Sequence, residues 1–314
     1  MARSTSAAAA GRRHRPHGRL LGAAALLGLL VELSPLPAAH AYTAAGDRIF
    51  VPTLLLPQIA PSDEFYLTFL TQHPTAGSRL DNLNAVYNKT ITERLSVGVA
   101  DGYSWLTPKG PDGRQNLQTT VKYLAVLEPA DEFLLSTGVA REWGGSGATG
   151  SGVAAIGASP KGATTPALTF GKGLGEIGPA YLRPFAVTGL LGYQVSDGAP
   201  RPDRWQIGVS LEYSLPYLES KVTSTELPDV VRALTPMVEV LLATPSGASY
   251  GYKTTITVAP GVSYAGGGWE LGVEALVPAT RATGSGVGAA VQLHLSLDYL
   301  LASGFLGRPI LSAP

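Results

Sequence analysis

Residues 287–299 read Val-Gly-Ala-Ala-Val-Gln-Leu-His-Leu-Ser-Leu-Asp-Tyr. Apolar and polar side chains alternate from Val291 to Tyr299, which is the period-two pattern of a β-strand with two unlike faces. One face carries Val287, Ala289, Val291, Leu293, Leu295, Leu297 and Tyr299, and the other carries Gly288, Ala290, Gln292, His294, Ser296 and Asp298. The stretch is longer than the ~5–6 residues of an ordinary strand. It therefore predicts a long strand with one apolar and one polar face.

The same alternation recurs along the chain. It predicts twelve strands, near residues 62–72, 82–91, 94–106, 115–128, 132–143, 163–172, 181–195, 203–216, 233–245, 252–264, 268–278 and 285–300. Several of these segments match the ~9–11 residues that a tilted strand needs to cross a membrane. The chain is therefore expected to belong to the all-β class.

The connections between these strands alternate in length. The links after the odd-numbered strands are polar or Gly-rich, whereas several of those after the even-numbered strands are tight, such as Thr92-Glu93. Short turns on one side and longer loops on the other are typical of outer-membrane barrels. Residues 62–300 are therefore predicted to form a closed antiparallel up-and-down transmembrane β-barrel of about 12 strands, with both termini periplasmic. Two connections on the short side, 173–180 and 217–232, are longer than this pattern expects.

The composition favours lipid as the surrounding medium. Charged residues make up 15% of the 314-residue chain, against ~25% in ordinary soluble domains. Basic and acidic residues are equal at 23 each, which argues against nucleic acid as a partner. The absence of Cys excludes disulfides and thiolate metal sites. The alternative to a membrane barrel is a soluble β-sandwich whose apolar faces pack together.

The two ends of the chain are expected to lie outside the barrel. Residues 1–41 combine an Arg-rich start, a short apolar run and a small-residue cleavage site, which predicts a secretory signal peptide cleaved after Ala41. An uncleaved anchor is the alternative. Residues 42–61 are predicted to be a periplasmic N-terminal segment, and 301–314 a periplasmic C-terminal tail. Because the chain does not end on an aromatic residue, its signal for the outer-membrane insertion machinery would be internal.

The outward face is predicted to contact outer-membrane lipid. Aromatic residues near strand ends fit the two girdles that sit at the headgroup levels. They are Trp105, Trp205, Tyr213, Tyr264, Trp269 and Tyr299. Arg141 falls in phase with the lipid face, so its guanidinium must reach the outer rim. Pro166 and Pro260 lie inside strands and are expected to mark bulges, because each removes a ladder donor.

The inward face carries ionisable residues, which are functional candidates in a membrane protein. They are Lys122, Glu212, Glu239, Glu270, Glu274, His294 and Asp298. Neighbouring carboxylates repel, and His294 is the nearest cationic candidate to offset them. Two interpretations stay open: a permeation path, or a hydrogen-bonded network that fills the interior. Folding of 144–162 or 42–61 into the barrel would also narrow the roughly 10–14 Å lumen expected of twelve strands.

The sequence is poor in groups of residues that could form a catalytic site. His73 and His294 are the histidines that remain after cleavage, and no metal-ligand spacing occurs. A lipolytic barrel would need a Ser-His pair on the lipid side, whereas His294 is predicted to point inward. The protein is therefore expected not to be an enzyme and to use no cofactor and no metal.

Several strand and turn segments share a pattern with known proteins: Phe170–Gly173, Tyr181–Phe185, Leu211–Leu218, Gly272–Ala275, Gly286–Gly288 and Gln292–His294. These segments resemble a group of mostly uncharacterised bacterial outer-membrane barrels named for the meta-cleavage pathway of phenol degradation. Members of that group are proposed to be transporters. The resemblance implies passage of small solutes, hydrophobic or aromatic ones in particular. The alternative is a plugged barrel that acts as a structural or surface-interaction protein through loops 107–114 and 144–162.

Overall fold

The computed structural model describes residues 43–176 and 178–311, which form a ring of strands and its connections. Twelve strands build the ring. They are β3 (Glu64–His73), β4 (Arg79–Thr92), β5 (Leu95–Thr107), β7 (Gln118–Glu128), β8 (Phe133–Glu142), β9 (Ala163–Gly173), β10 (Phe185–Ser196), β11 (Asp203–Tyr213), β12 (Leu234–Ser246), β13 (Thr255–Ala265), β14 (Trp269–Pro278) and β15 (Gly286–Ser296). Three short strands lie outside it: β1 (Thr43–Ala45), β2 (Arg48–Phe50) and β6 (Asp112–Arg114).

The ring is closed and antiparallel. Each strand pairs with its neighbours in the sequence, and β15 pairs with β3, so that Leu293 faces Leu67 across the closing seam. Closure removes the two edges of the sheet and pairs the backbone groups that would otherwise face hydrocarbon. The predicted closed barrel of twelve strands is confirmed, and the β-sandwich alternative is wrong.

Two predicted strand boundaries are wrong for local reasons. The seventh ring strand, β10, begins at Phe185 and not at 181, because Ala180–Leu182 form a 3₁₀ turn and Pro184 lacks an N–H to donate. The last strand ends at Ser296 and not at 300, because Leu297–Leu300 form one helical turn. Asp298 and Tyr299 therefore lie beyond the strand on which the alternation had placed them.

Pro166 and Pro260 do not mark bulges. The β9–β10 ladder pairs Thr164 with Val195 and resumes at Ala167 with Gly192 in the same register. The β13–β14 ladder is interrupted at Pro260 in the same way, and its register is again unchanged. Each proline therefore removes a pairing without inserting a residue.

The outward face of the ring is a continuous apolar belt. Leu168, Val209, Leu211 and Val273 are each 43–45% exposed although their neighbours along the strand point inward and are covered. Soluble monomers rarely expose apolar surface of this extent. The belt fits contact with lipid.

The loops and turns differ at the two ends of the barrel. At one end, hereafter the loop end, the long connection 143–162 packs its 3₁₀ turn Val153–Ile156 onto Leu80 and Leu106, so Ile156 is buried. At the other end, the turn end, the chain forms the helical segments Leu215–Tyr217, Leu218–Val222 and Asp229–Arg232. No helix among the described residues is long and apolar enough to cross a membrane.

Candidate functional site: the inner segment and the cavity above it

Residues 43–61, hereafter the inner segment, lie inside the ring and not beside it. Phe50 is fully buried and packs with Ile59 and with Leu134 of the wall. Leucines fill the space above inward glycines: the Cβ that Gly208 lacks would lie 2.1 Å from a Leu56 methyl carbon. Gly272 faces Leu54 in the same way, at 2.5 Å. The 42–61 segment had been placed in the periplasm, but its described part folds in, which was the other arrangement the sequence left open.

One carboxylate holds the centre of the inner segment. Glu239 of β12 accepts hydrogen bonds from the backbone N–H groups of Leu54 at 2.7 Å, Leu55 at 3.1 Å and Leu56 at 3.1 Å. Three consecutive donors can converge on one anion where the chain turns, and a buried carboxylate needs such donors. Glu239 is fully buried, so this contact is shielded from water.

A second group of contacts, hereafter the Arg48 latch, closes the turn end. Arg48 donates from Nε to Glu132 Oε2 at 3.1 Å and from its other nitrogens to the carbonyls of Pro184 and Arg183. Its guanidinium lies 3.7 Å from the centre of the Tyr217 ring, and the Tyr217 hydroxyl donates to Glu132 Oε1 at 2.7 Å. Burial, together with the hydrogen bond to the Glu132 carboxylate, raises the pKa of Tyr217 to about 12. The phenol therefore stays protonated and keeps donating well above neutral pH.

His294 meets a partner that the sequence did not indicate. Its Nε2 lies 3.3 Å from Oε2 of Glu64 on the neighbouring strand β3, and its ring stacks on Tyr66 at 4.7 Å. Glu64 also accepts from Gln58 of the inner segment at 3.2 Å and from Asn88 at 2.8 Å. The alternation along β3 places Glu64 inward, and this signal could have identified it.

The predicted inward residues fall into three groups. Glu212, Glu239, Glu270, Glu274 and His294 are at most 2% exposed and lie inside the ring. Glu270 accepts from Ser263, and Glu212 accepts from Thr188 at 3.4 Å. Lys122 lines an open cavity instead of joining them. Asp298 lies in the helical turn after β15, where its carboxylate caps the Tyr299 N–H at 2.9 Å.

The loop-end half of the barrel contains a cavity of about 660 Å³. Residues 52–58 and Ala60 of the inner segment line it and form its floor. The wall is made of neutral polar and small side chains, among them Asn84, Gln118, Thr120, Ala140, Gln206 and Gln292. Arg201, Arg204 and Glu142 line it at the loop end. Among the described residues, no group of three or more His, Asp or Glu is placed to hold a metal ion.

The predicted aromatic residues lie at both ends of the ring. Trp105 and Trp205 are at the loop end, where their rings lie 4.8 Å from Tyr103 and 4.6 Å from Tyr193. Tyr213, Tyr264 and Trp269 are at the turn end, and Tyr299 lies just beyond it in the helical turn. Trp143, which the sequence analysis missed, joins the loop-end group at 48% exposed.

Arg141 reaches the loop-end rim. Its guanidinium pairs with Asp197 and lies 5.6 Å from the Trp143 ring. Its charge is thus neutralised among polar and aromatic groups at the edge of the apolar belt.

No protein-family model and no curated protein matches the chain. Several solved structures of outer-membrane barrels are similar to it. An outer membrane channel from Pseudomonas putida F1 is 10% identical with a TM-score of 0.50, over 79% of this chain and 99% of that chain. The KdgM porin is 12% identical with a TM-score of 0.45, over 74% of this chain and 98% of that chain. LpxR from Salmonella typhimurium is 10% identical with a TM-score of 0.44, over 74% of this chain and 99% of that chain.

The likeness to the Pseudomonas putida F1 channel concerns the fold alone. The chain has the fold of an outer-membrane β-barrel of twelve strands, with its turn-end half filled by its own N-terminal segment and its loop-end half hollow. The predicted cleavage after Ala41 lies outside the described residues.

Proposed function

We propose that this barrel lets small solutes cross the outer membrane, with the inner segment as the gate. The observation that carries the proposal is the floor of the 660 Å³ cavity, which is built from residues 52–58 and Ala60 of the inner segment and not from the barrel wall. A closed passage of this kind can open without breaking any pairing between ring strands. Twelve strands enclose a backbone diameter of roughly 24 Å, so withdrawal of the inner segment would join the two halves of the lumen.

The contacts that hold the gate set the free energy that is needed to open it. The polar ones are the three N–H groups on Glu239 and the Arg48 latch. Hydrogen bonds to a charged group contribute about 1.5–3 kcal/mol each at most. Together the four contacts amount to about 6 kcal/mol or more, so an open state becomes populated only when a solute or a partner binds that state far more tightly than the closed one.

The nature of the solute is proposed from the family resemblance. It implies hydrophobic or aromatic compounds, and the leucine-rich floor of the cavity is compatible with them. We propose transport without catalysis, following export with cleavage after Ala41 and assembly by the outer-membrane insertion machinery.

A plugged barrel without transport is the second candidate, and a specific observation favours it. The Arg48–Glu132 pair and Glu239 are all almost fully buried, so the closed arrangement is held by shielded contacts. In that case the loop 143–162, packed over Leu80 and Leu106, would present a fixed surface at the loop end.

A disulfide across the gate separates the two candidates. The Cβ that Gly272 lacks would lie 3.4 Å from the Leu54 Cγ, close to the about 3 Å that separates a Cβ from its partner sulfur in a disulfide. The double variant Leu54→Cys with Gly272→Cys should therefore lock the inner segment when oxidised. Conductance in planar bilayers and liposome swelling are then measured before and after reduction.

Gated passage predicts conductance in the reduced double variant and its loss on oxidation. The single variant Leu54→Cys, which cannot form the bond, should conduct under both conditions. Absence of conductance and swelling in the wild type and in the reduced variant alike would favour the plugged barrel.

A further inference from the structure

We infer that the loop end of the cavity holds a binding site for the carboxylate of small organic anions, centred on Arg204 and Gln194. The inference deepens the proposed function and rests on it for its purpose, because the site lies on the proposed path. Binding itself does not require the gate to open. The two ideas can therefore fail separately.

The cavity lining carries more basic than acidic side chains. Lys122, Arg201 and Arg204 line the cavity, and Glu142 is the acidic residue among the lining side chains. Glu142 is already paired with Arg201 at 2.7 Å and also accepts from Asn116 at 2.8 Å. Among the described residues, Arg204 and Lys122 have no carboxylate within ion-pair distance. The lining thus carries two cations whose charge is not offset by contact.

The other buried acids do not neutralise this lining. Glu212, Glu239, Glu270 and Glu274 do not line the cavity, and Glu239 binds the backbone of the inner segment. Glu64 accepts hydrogen bonds from Gln58 and Asn88, and one of its oxygens lies 3.3 Å from His294 Nε2. The cavity therefore favours an anion over a cation.

The cavity lining includes a buried amide, that of Gln194, whose N–H₂ group has no hydrogen-bond partner among the described residues. Gln194 is 2% exposed and lines the cavity, and its Nε2 has no hydrogen-bond partner among the described residues. Its Oε1 accepts from Arg204 Nε at 2.6 Å and from Gln206 Nε2 at 3.0 Å. If the Gln194 amide were flipped, its N–H₂ group would face the N–H donors of Arg204 and Gln206. These two contacts therefore fix the orientation of the amide. A carboxylate oxygen would satisfy the unpaired N–H, and Arg204 can bind a carboxylate through two nitrogens.

The cavity also offers apolar surface to the part of the ligand that carries no charge. Leu54, Leu190 and Leu241 also line the cavity, which offers apolar surface to the body of a ligand whose carboxylate is bound at Arg204. A volume of about 660 Å³ lies within the roughly 300–1,000 Å³ of small-molecule sites. Lys122 supplies a second cation for an anion that has moved inward. The geometry thus selects a small monocarboxylate with an apolar body.

The test is calorimetric titration of the purified barrel with benzoate and with benzyl alcohol, which has the same ring and no charge. Benzoate should bind saturably, at least tenfold more tightly than benzyl alcohol. Arg204→Gln should weaken benzoate binding about tenfold or more, since it removes a charged donor beside the carboxylate. Lys122→Gln should weaken it several-fold. Arg281→Gln removes the same charge from an exposed position in the loop 279–285 and should leave binding unchanged.

Three results would overturn the inference: equal affinity for benzoate and benzyl alcohol, wild-type affinity in a folded Arg204→Gln barrel, or acetate binding as tightly as benzoate. Heat-modifiable mobility on gels shows that each variant is folded. Benzoate binding by a wild type that never conducts would support the site and refute passage. Conductance without any affinity for benzoate would support passage and refute the binding site. The oxidised gate variant should still bind benzoate, because the site lies above the locked floor.

Discussion

Arg48 Nε lies 3.1 Å from Glu132 Oε2, and the two side chains are 1% and 6% exposed. This pair joins the inner segment to the turn between β7 and β8, and the segment has a second ion pair nearby for comparison. Asp47 pairs with Lys221 at 2.6 Å, with both side chains largely exposed. One short stretch of chain is thus held by a buried pair and by an exposed one, which contribute differently to stability.

Breaking the buried pair should release the inner segment. Arg48→Met leaves Glu132 as an uncompensated buried charge, a change that costs about 3–5 kcal/mol. The chain has no Cys, so Ala60→Cys, at a site that is 6% exposed, reports on release through its rate of labelling by a water-soluble maleimide. We expect at least a hundredfold faster labelling in Arg48→Met.

The exposed pair supplies the matched control. Lys221→Met should change the labelling rate less than about fivefold, because exposed ion pairs contribute 0–1 kcal/mol. Equal effects of the two substitutions would mean that burial of the Arg48 latch does not hold the segment.

Glu239→Gln should loosen the same segment from its centre. A neutral amide oxygen accepts more weakly than a carboxylate, and the amide N–H₂ group would face N–H donors of Leu54, Leu55 and Leu56. Labelling of Ala60→Cys should rise tenfold or more. Glu270→Gln is the control, since Glu270 bonds Ser263 of the wall and not the inner segment. A larger effect at 270 than at 239 would contradict the assignment.

Gly208→Ala should also displace the inner segment. The added Cβ would lie 2.1 Å from a Leu56 methyl carbon, whereas at the inward Gly192 of the adjacent strand the nearest atom would be 3.4 Å away. Overpacking costs about 1–3 kcal/mol, so labelling at Ala60→Cys should rise about tenfold for the change at 208 and little for Gly192→Ala. Similar rates in the two variants would show that Leu56 moves aside freely.

The ring could be predicted from the sequence because its rule is local. Alternation at period two follows from the geometry of a strand with lipid on one face, and all twelve ring strands carry it. The strand ends at Phe185 and Ser296 were missed because a turn or a helical residue can continue the same alternation by chance.

The interior could be predicted only in part. Arg48 and Glu132 are 84 residues apart, and no local pattern encodes such a pairing. Residues 50–60, Phe-Val-Pro-Thr-Leu-Leu-Leu-Pro-Gln-Ile-Ala, did carry a signal, because so apolar a stretch is unsuited to a solvated linker. Nor does any local pattern show that the space beside the inward Gly208 is occupied by Leu56, which lies about 150 residues earlier in the chain.

The Arg48 latch should weaken at high pH. The folded-state pKa of Tyr217, about 12, exceeds the ordinary value of about 10. Its contribution is therefore complete below pH 10 and is lost as the pH rises through about 12, when a phenolate would face Glu132. The unfolding temperature from heat-modifiable mobility should differ between wild type and Tyr217→Phe at pH 8, and the difference should shrink between about pH 10 and 12. Tyr181→Phe, at an exposed ring, should show no such trend.

The orientation of the barrel follows from its unequal ends and can be tested in whole cells. The loop end carries the cavity mouth and Arg141, so we expect it to face outward, with the Arg48 latch in the periplasm. Ser249 lies in the loop 247–254, Ser224 lies in the turn-end connection 214–233, and both are exposed. In the cysteine-free chain, Ser249→Cys should react with a membrane-impermeant maleimide on intact cells. Ser224→Cys should react only after the outer membrane is opened. The opposite labelling pattern would show that the barrel is inserted the other way round. The cavity and its cations would then face the periplasm, and the proposed uptake of anions from outside would be wrong.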